Sequence, residues 1–389
     1  MTPKDRVFTA LAHKEPDRIP WGEHSIDYNV YEEILGRQTL TQAKIRETKA
    51  YWEGRRDEVV ACVKRDRLDL VRALEMDVLF VSLVPPKGYA PEAFEKVDDT
   101  TYRDRDGSIY RVSTSTGDLM LFKDVRPPAA PPKREDLEAE LERARTEPGT
   151  LPDESEWELV DHAIREMGKT HFIMGFTGDL AFPSFGNDDE AQLMNLALYP
   201  EECALITKIH GTRLVRGLGI FKGRAIDGIM PCGDLGSSTG LLANPRWYRE
   251  HVWPWHKAYC DKAHAMGFKV LKHCCGRTQE VITDLVAAGY DAYEAIQATA
   301  GMDIGELKKQ VGKQMTLWGG ILHEHLILGT PGDIRRDARH AFLGAAKGGG
   351  FIMGSSHSLA VGAKRENLLE MKRVRDLWGV YPIREKNFV

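Results

Sequence analysis

The chain has 389 residues, enough for two average domains or for one large α/β barrel. Its formal net charge of -5 and isoelectric point near 6.3 give no basic surface of the kind that binds nucleic acid or an anionic membrane. No apolar run is long enough to cross a bilayer, and the first residues lack the apolar core of a secretion signal, so we expect a cytoplasmic protein. The six cysteines are scattered, which favours reduced thiols over a disulfide framework.

The first part of the chain predicts helices around two strands. Thr2 and Pro3 predict a helix start, and Pro16 ends that helix. The segment 18–24 predicts a first strand, and two helical stretches follow it. Residues 76–84 are almost continuously apolar, as in a strand that is covered on both faces, and a proline pair stops them.

Residues 98–152 interrupt this pattern. The segments on either side of Asp106-Gly107 predict a β-hairpin, because an Asp-Gly pair supports the backbone of a tight turn. The following stretch, 126–152, has two proline pairs around a charged helical segment, which indicates a surface excursion or a flexible linker. We therefore expect an antiparallel insertion here.

From Trp157 onward, predicted strands and helices alternate. The later strands are expected at 171–176, 225–230, 268–273, 292–296, 315–318 and 351–353. With the two early strands the count reaches eight, which favours a single α/β domain over residues 1–389. We predict a (β/α)8 TIM barrel with N-terminal helices and a small antiparallel hairpin insertion. An open, doubly wound sheet is the alternative.

Polar side chains follow most of the predicted strands, at the end of a barrel where active sites are built. His273 and Cys275 point to the same face of a strand end, and Cys274 between them points away. Imidazole and thiolate together suit zinc, and His357 after the last strand is the third candidate ligand. The alternative is a buried cysteine pair beside a histidine that is bonded to the backbone.

The remaining candidates are divided between catalysis and substrate binding. Glu294 is a candidate ligand, general base or partner that orients a ligating histidine. Asp234 is a candidate catalytic carboxylate, with capping of its own loop as the alternative. The glycines at 348–350 could also approach a phosphate, although the Walker lysine and serine are absent. The residues expected to bind substrate are Trp21, His24, Phe176, Asp179 and Gln297.

Several segments, taken in their order along the chain, resemble the uroporphyrinogen decarboxylase superfamily, which includes that decarboxylase and corrinoid-dependent methyltransferases. The segments are 2–7 with 16–20, Asp234 to Ser238 with Pro245, Leu271 to Gly276, Leu317 to Ile321, Gly348 to His357, and Glu366-Asn367. The resemblance implies a (β/α)8 barrel whose active cleft lies at the C-terminal ends of the strands.

The resemblance also separates two branches. The haem-pathway decarboxylase has an arginine-rich motif after its first strand, where this chain has the acidic residues Glu23 and Asp27 and no arginine. Acidic groups repel a polycarboxylate, so porphyrinogen decarboxylation is disfavoured. The zinc-using methyltransferases carry a His-x-Cys pair that His273 and Cys275 match, and a distant cysteine where this chain places His357.

The first functional hypothesis is therefore a cobalamin (corrinoid)-dependent methyltransferase of O-demethylase type. It would move a methyl group between a small methylated compound, or a thiol, and a corrinoid on a separate partner protein, assisted by zinc. The expected substrate is methoxylated, or similarly small and neutral to weakly anionic. One alternative is a metal-assisted decarboxylase or lyase acting on a small organic acid, and another is a barrel without catalysis that binds or loads a corrinoid. The oligomeric state is left open, a homodimer included.

Overall fold

The computed structural model describes residues 1–388. The strands are β1 (Val78–Val81), β2 (Glu95–Lys96), β3 (Thr101–Arg103), β4 (Ile109–Val112), β5 (Leu119–Lys123), β6 (Phe172–Thr177), β7 (Gly228–Pro231), β8 (Lys269–His273), β9 (Ala292–Glu294), β10 (Thr316–Ile321) and β11 (Phe351–Ser355).

The α-helices are α1 (Pro3–Leu11), α2 (Tyr28–Leu35), α3 (Ile45–Trp52), α4 (Arg56–Leu74), α5 (Arg134–Thr146), α6 (Glu158–Met167), α7 (Asp189–Leu198), α8 (Pro200–Gly217), α9 (Pro245–Trp247), α10 (Trp253–Ala265), α11 (Ile282–Ala288), α12 (Ile304–Val311), α13 (His323–Ile327), α14 (Pro331–Ala341) and α15 (Arg365–Trp378). Short 3₁₀ segments lie at Glu154–Trp157, Leu218–Phe221, Gln279–Val281, Ala298–Ala300 and Glu385–Phe388, and π-helical turns lie at Tyr248–Val252 and Phe342–Ala346. Within residues 1–388, none of the helices combines the length and the apolar character needed to span a membrane.

Seven strands form one parallel sheet in the order β1, β6, β7, β8, β9, β10, β11. Helices connect successive strands, so every crossover covers the outer face of the sheet. The near-continuous apolar runs in the sequence follow from this arrangement, because each strand is buried on both faces. All four residues of β1 and all five of β11 are buried.

The predicted first strand lies between the two ends of this sheet as an extended segment rather than a regular strand. On one side Gly22 N–H donates to Met353 O (3.2 Å) and Met353 N–H donates to Pro20 O (2.8 Å), and on the other Asp77 N–H donates to Trp21 O (2.7 Å). Pro20 has no N–H, so the ladder cannot continue. The segment nevertheless joins β11 to β1, and the predicted TIM-barrel-like α/β fold is confirmed, with seven regular strands instead of eight.

Apolar side chains fill the interior of the barrel, and α1 covers one end. The interior cluster contains Val78, Phe80, Phe172, Met174, Met230, Leu271, Ala292, Trp318 and Ile352 from the strands, with Val7, Ala10 and Leu11 from α1. The backbone N–H of Lys4 donates to Thr170 O (2.8 Å), just before β6 begins, so α1 lies at the N-terminal ends of the strands. The opposite end is left for a functional site.

Trp318 fills the barrel only because glycines face it. Its Nε1–H donates to Gly22 O (3.0 Å), and a Cβ on Gly354 would lie 2.5 Å from that nitrogen. We expect Gly354→Ala to lower the free energy of unfolding by about 1–3 kcal/mol, because the indole would have to move within a filled core. Urea unfolding measures this change.

Gly219→Ala is the matched control for that variant. Gly219 is exposed, and a Cβ there would meet no atom within 4 Å, so its stability should stay the same or rise slightly. Equal stability of the Gly354→Ala variant and the wild-type protein would show that the indole can move without loss.

The segment expected to leave the barrel contains a second sheet. Strands β2, β3, β4 and β5 pair antiparallel in chain order. The turn between β3 and β4 has Gly107 in the left-handed region (φ 96°), and the carboxylate of Asp104 accepts from the N–H groups of Asp106 (3.0 Å) and Ser108 (2.9 Å). The predicted hairpin is therefore one part of a four-stranded sheet. Helix α5 follows and packs against α8.

Candidate metal and active site

Side chains from three neighbouring strands and from the extended first segment meet at the C-terminal end of the barrel. His24 comes from the extended first segment, Asp234 follows β7, His273 and Cys275 lie at the end of β8, and Glu294 ends β9. The parallel register pairs His273 with Glu294 directly, which makes them neighbours on one face. Residues far apart in the sequence thus come together because parallel strands end on the same side of a barrel.

The carboxylate of Glu294 is hydrogen-bonded to two imidazole rings. It is 2% exposed, and its carboxylate accepts from Nδ1 of His24 (3.1 Å) and from Nδ1 of His273. Burial alone would raise the pKa of Glu294, but the two histidines outweigh burial and hold that pKa below its ordinary value. Because an ionised carboxylate only accepts, both Nδ1 atoms carry protons, and the Nε2 atoms remain for a metal or a substrate.

Asp234, His273 and Cys275 form a group that fits a metal ion. Each offers one ligand atom, and these atoms lie within 4.8 Å of one another. Cys275 Sγ is 3.4 Å from His273 Nε2, and Asp234 accepts from the backbone N–H of Cys275 (2.8 Å). Oxygen, nitrogen and sulfur donors of this kind suit zinc, and Glu294 behind His273 is the carboxylate that such a ligand usually has.

The thiol of Cys275 would lose its proton only beside a bound cation. Burial is the main reason that its pKa lies above the ordinary value, and the nearby carboxylates of Asp234 and Glu294 raise it further. Without a cation the sulfur therefore keeps its proton. A divalent metal would reverse this balance and release the proton as it binds.

His357 is not part of either group of three ligand atoms that the structure contains within residues 1–388, which are Asp234-His273-Cys275 and His24-His273-Glu294. Its ring lies 5.3 Å from that of His323, and its Nδ1 is 2.8 Å from Ser358 Oγ. It stands two residues beyond the end of β11, in a loop whose direction strand alternation does not determine. In the group with His273 and Cys275 the third ligand atom belongs to Asp234, and the ligand role of His357 stays a prediction.

Three of the residues expected to bind substrate lie at different depths. Phe176 lines a pocket beside the site and stacks on Phe80 with ring centroids 5.0 Å apart. The side-chain oxygen of Gln297 accepts from Gly276 N–H (3.1 Å), so it holds the loop that follows Cys275. Trp21 is fully buried in the core outside the barrel, with the Arg375 guanidinium 5.5 Å from its ring.

Asp179 is paired with a buried lysine that the sequence analysis did not single out. Lys272 is fully buried, and its ammonium donates to Asp179, to Gly233 O (2.7 Å) and to His273 O (2.7 Å). Burial alone would lower the pKa of Lys272, but Asp179 outweighs burial and raises it. The pair joins the loops after β6 and β7 to the end of β8, directly beside His273. A lysine inside an apolar strand was the signal available in the sequence.

Glu23 is a second residue whose role the sequence did not reveal. It is 4% exposed and accepts from Trp21 Nε1 (2.8 Å), and burial raises the pKa of Glu23 to about 7. Ser355 Oγ lies 2.6 Å from Glu23 and also bonds the carbonyl of His357. A hydroxyl has one proton, so when Ser355 donates to that carbonyl, Glu23 must carry a proton and donate to Ser355.

The acidic residues of the first segment therefore present less negative charge than the sequence indicated. With its pKa raised to about 7, the Glu23 carboxyl is only partly ionised near neutral pH and is bonded to Trp21 and Ser355, and Asp27 pairs with Lys44 at 2.7 Å. Neither acid presents a free charge to a ligand. The missing arginine motif remains as the difference from the haem-pathway decarboxylase.

Comparisons with known proteins agree with this architecture. Residues 229–377 match the uroporphyrinogen decarboxylase (URO-D) family, and this stretch contains Asp234, His273, Cys275 and Glu294. No curated protein matches the sequence. A solved methyltransferase from Methanosarcina mazei is similar in fold, with a TM-score of 0.57 and 14% identity over 97% of this chain and 98% of that one.

A second solved structure is much less similar. The catalytic module of a family 98 glycoside hydrolase from Streptococcus pneumoniae has a TM-score of 0.27 and 10% identity over 55% of this chain and 38% of that one, so it supports no inference. The likeness to the M. mazei protein shows the fold alone at this level of identity. The family match over residues 229–377 confirms, for that part of the chain, the resemblance to the uroporphyrinogen decarboxylase superfamily that the motifs indicated.

Proposed function

We propose that the chain is a methyltransferase that moves a methyl group between a small methylated compound, such as a methoxylated one, and a corrinoid on a separate partner protein. The observation that carries this proposal is the group Asp234-His273-Cys275, backed by Glu294, at the C-terminal end of the barrel. The fold shared with a methyltransferase supports it. Zinc held by this group would act as a Lewis acid on a heteroatom of the substrate.

Several side chains of this protein orient the groups that would bind the metal and the substrate. Glu294 fixes both histidines with protons on Nδ1, which leaves His273 Nε2 for the metal and His24 Nε2 for the substrate. Phe80 and Phe176 form an apolar wall beside His24, which suits the uncharged part of a small ligand. The pair of Lys272 and Asp179 holds the strand end that presents His273.

A metal-assisted decarboxylase or lyase is the second candidate, and Glu23 favours it. A buried carboxyl with a pKa of about 7 can hold or release a proton near neutral pH, as a general acid must. In that reaction the acid would return a proton to the carbon from which carbon dioxide leaves.

Methyl transfer to added cob(I)alamin tests the proposal. With a panel of methoxylated aromatic acids, phenols and methanol, the wild-type protein should convert cob(I)alamin to methylcobalamin, followed by the change in its absorption spectrum. Carbon dioxide release without methyl transfer would favour the second candidate. Ligand binding without either reaction would indicate a barrel that has no catalytic role.

A further inference from the structure

A pocket beside the proposed metal site has an unusual polar wall. It has a cavity volume of about 50 Å³ and lies between the extended first segment, β1 and α4. Its lining includes His24, Phe80 and Phe176 on the side of the barrel, and Tyr31, Gln42 and Arg67 on the other side. A ligand in this pocket therefore contacts His24 at one end and an arginine at the other.

Arg67 has no acidic partner. Its Nη1 donates to Phe80 O (3.3 Å), but its Nε is buried without a hydrogen-bond partner, and within residues 1–388 no carboxylate oxygen lies within 4.0 Å of its guanidinium. The other arginines of α4 differ in this respect: Arg56, Arg65 and Arg72 each pair with a carboxylate. A half-buried guanidinium with an unused donor is costly unless an acceptor completes it.

Glu47 is the acid whose pKa the charge of Arg67 affects, but it does not supply the missing acceptor for Arg67. The charge of Arg67 and the backbone N–H groups of Ala43 and Gln42 all act to lower the pKa of Glu47. Burial is the largest influence on Glu47 and raises its pKa above the ordinary value. Arg67 thus lines the pocket without a carboxylate oxygen within 4.0 Å of its guanidinium among residues 1–388.

Two further donors accompany Arg67. Gln42 lies in the left-handed region (φ 53°), which a side chain other than glycine occupies only when its surroundings hold it there. Neither its amide nor the hydroxyl of Tyr31 bonds another side chain or the backbone among residues 1–388. Burial raises the pKa of Tyr31 to about 12, so the phenol keeps its proton and can donate. Guanidinium, amide and phenol donors on one wall complement the oxygens of an anion.

We propose that Arg67, assisted by Gln42 and Tyr31, binds the carboxylate of the substrate. The substrate class is then small methylated or methoxylated carboxylic acids, an assignment that rests on the proposed function for the methyl group. One planar guanidinium matches the two oxygens of a carboxylate and balances its single charge, whereas the second charge of a phosphate would have no partner. Phe80 and Phe176 then contact the uncharged remainder, which extends toward His24.

Calorimetric titration with matched ligand pairs tests this assignment. The probes are 4-methoxybenzoate against 4-methoxybenzamide, and methoxyacetate against methoxyacetamide, because each amide has the shape of its acid without the charge. For at least one pair, the wild-type protein should bind the acid roughly 10-fold or more tightly than the amide, as expected for hydrogen bonds to a charged group. Arg67→Gln should abolish this preference, and Arg67→Lys should retain part of it.

Arg72→Gln is the matched control, since Arg72 lies on the same helix at the surface, and it should keep the full preference. If Arg67→Gln fails to fold by circular dichroism, Gln42→Ala and Tyr31→Phe replace it, each with a severalfold loss of acid binding and no change for the amide. Equal binding of acids and amides by the wild-type protein, no binding of any probe, or an unchanged preference in folded Arg67→Gln overturns the assignment. Binding needs neither zinc nor corrinoid, so an intact preference without methyl transfer would contradict only the proposed function.

Discussion

Replacing Cys275 with serine is expected to remove the metal from the protein. Zinc purified with the wild-type chain should approach about one ion per molecule, because three donor atoms from Asp234, His273 and Cys275 lie within 4.8 Å of one another. The hydroxyl of serine is a poor substitute for a thiolate. Glu294→Gln frees the histidine that Glu294 orients, and it should lower the affinity for zinc about 10–100-fold. We expect Cys275→Ser to lower that affinity further. Mass spectrometry of protein purified without chelators measures the zinc.

Two variants separate this site from its alternatives. Cys274→Ala should retain the metal, because Cys274 Sγ accepts from Leu235 N–H (3.2 Å) on the other side of the strand end. His357→Ala should also retain it, although the sequence pattern alone had predicted a loss. Zinc loss in the His357 variant, or zinc-free wild-type protein that still transfers methyl groups, would contradict the site as the structure presents it.

Replacing Lys272 with methionine is expected to destabilise the protein by about 3–5 kcal/mol. Methionine fills a similar volume, so the effect comes from leaving Asp179, whose side chain is 4% exposed, without its cation in the interior. The carbonyls of Gly233 and His273 lose a donor as well. Urea unfolding followed by circular dichroism gives the free energy of unfolding.

The double variant Lys272→Met with Asp179→Asn is the control for that result. It removes both charges, so it should recover a clear part of the stability that the single variant loses. A single variant that loses less than about 1 kcal/mol would mean that water or another group already solvates Asp179. In that case Lys272 would not be the residue that holds the end of β8.

Much of the fold could be predicted because each strand of the parallel sheet is buried on both faces. Apolar runs such as 76–84 and 268–273 therefore stand out, and β1 and β8 lie within them. The first strand was predicted as regular, but Pro20 cannot donate to its neighbour. The small sheet was predicted as one hairpin, since its outer strands are short or largely exposed and carry little apolar pattern.

The site was only partly accessible from the sequence. The spacing of His273 and Cys275 is local, so alternation along one strand places both on one face. Their partners come from other strand ends, and the choice between Asp234 and His357 depends on the paths of two loops, which no periodicity determines. Arg67 was missed for another reason. A charged residue on an amphipathic helix is usually solvated, and only the tertiary structure shows that this one faces a pocket.

The position of α1 determines the end of the barrel from which other molecules can reach the site. Val7, Ala10 and Leu11 of that helix close the lower end of the barrel, so the site of His24 and His273 is reached from the opposite end. The corrinoid protein of the proposed function would have to approach the site from this same end. Under the proposed function, the small substrate would then have to bind before the partner protein, and its product leave after it, an order set by the shape of the barrel.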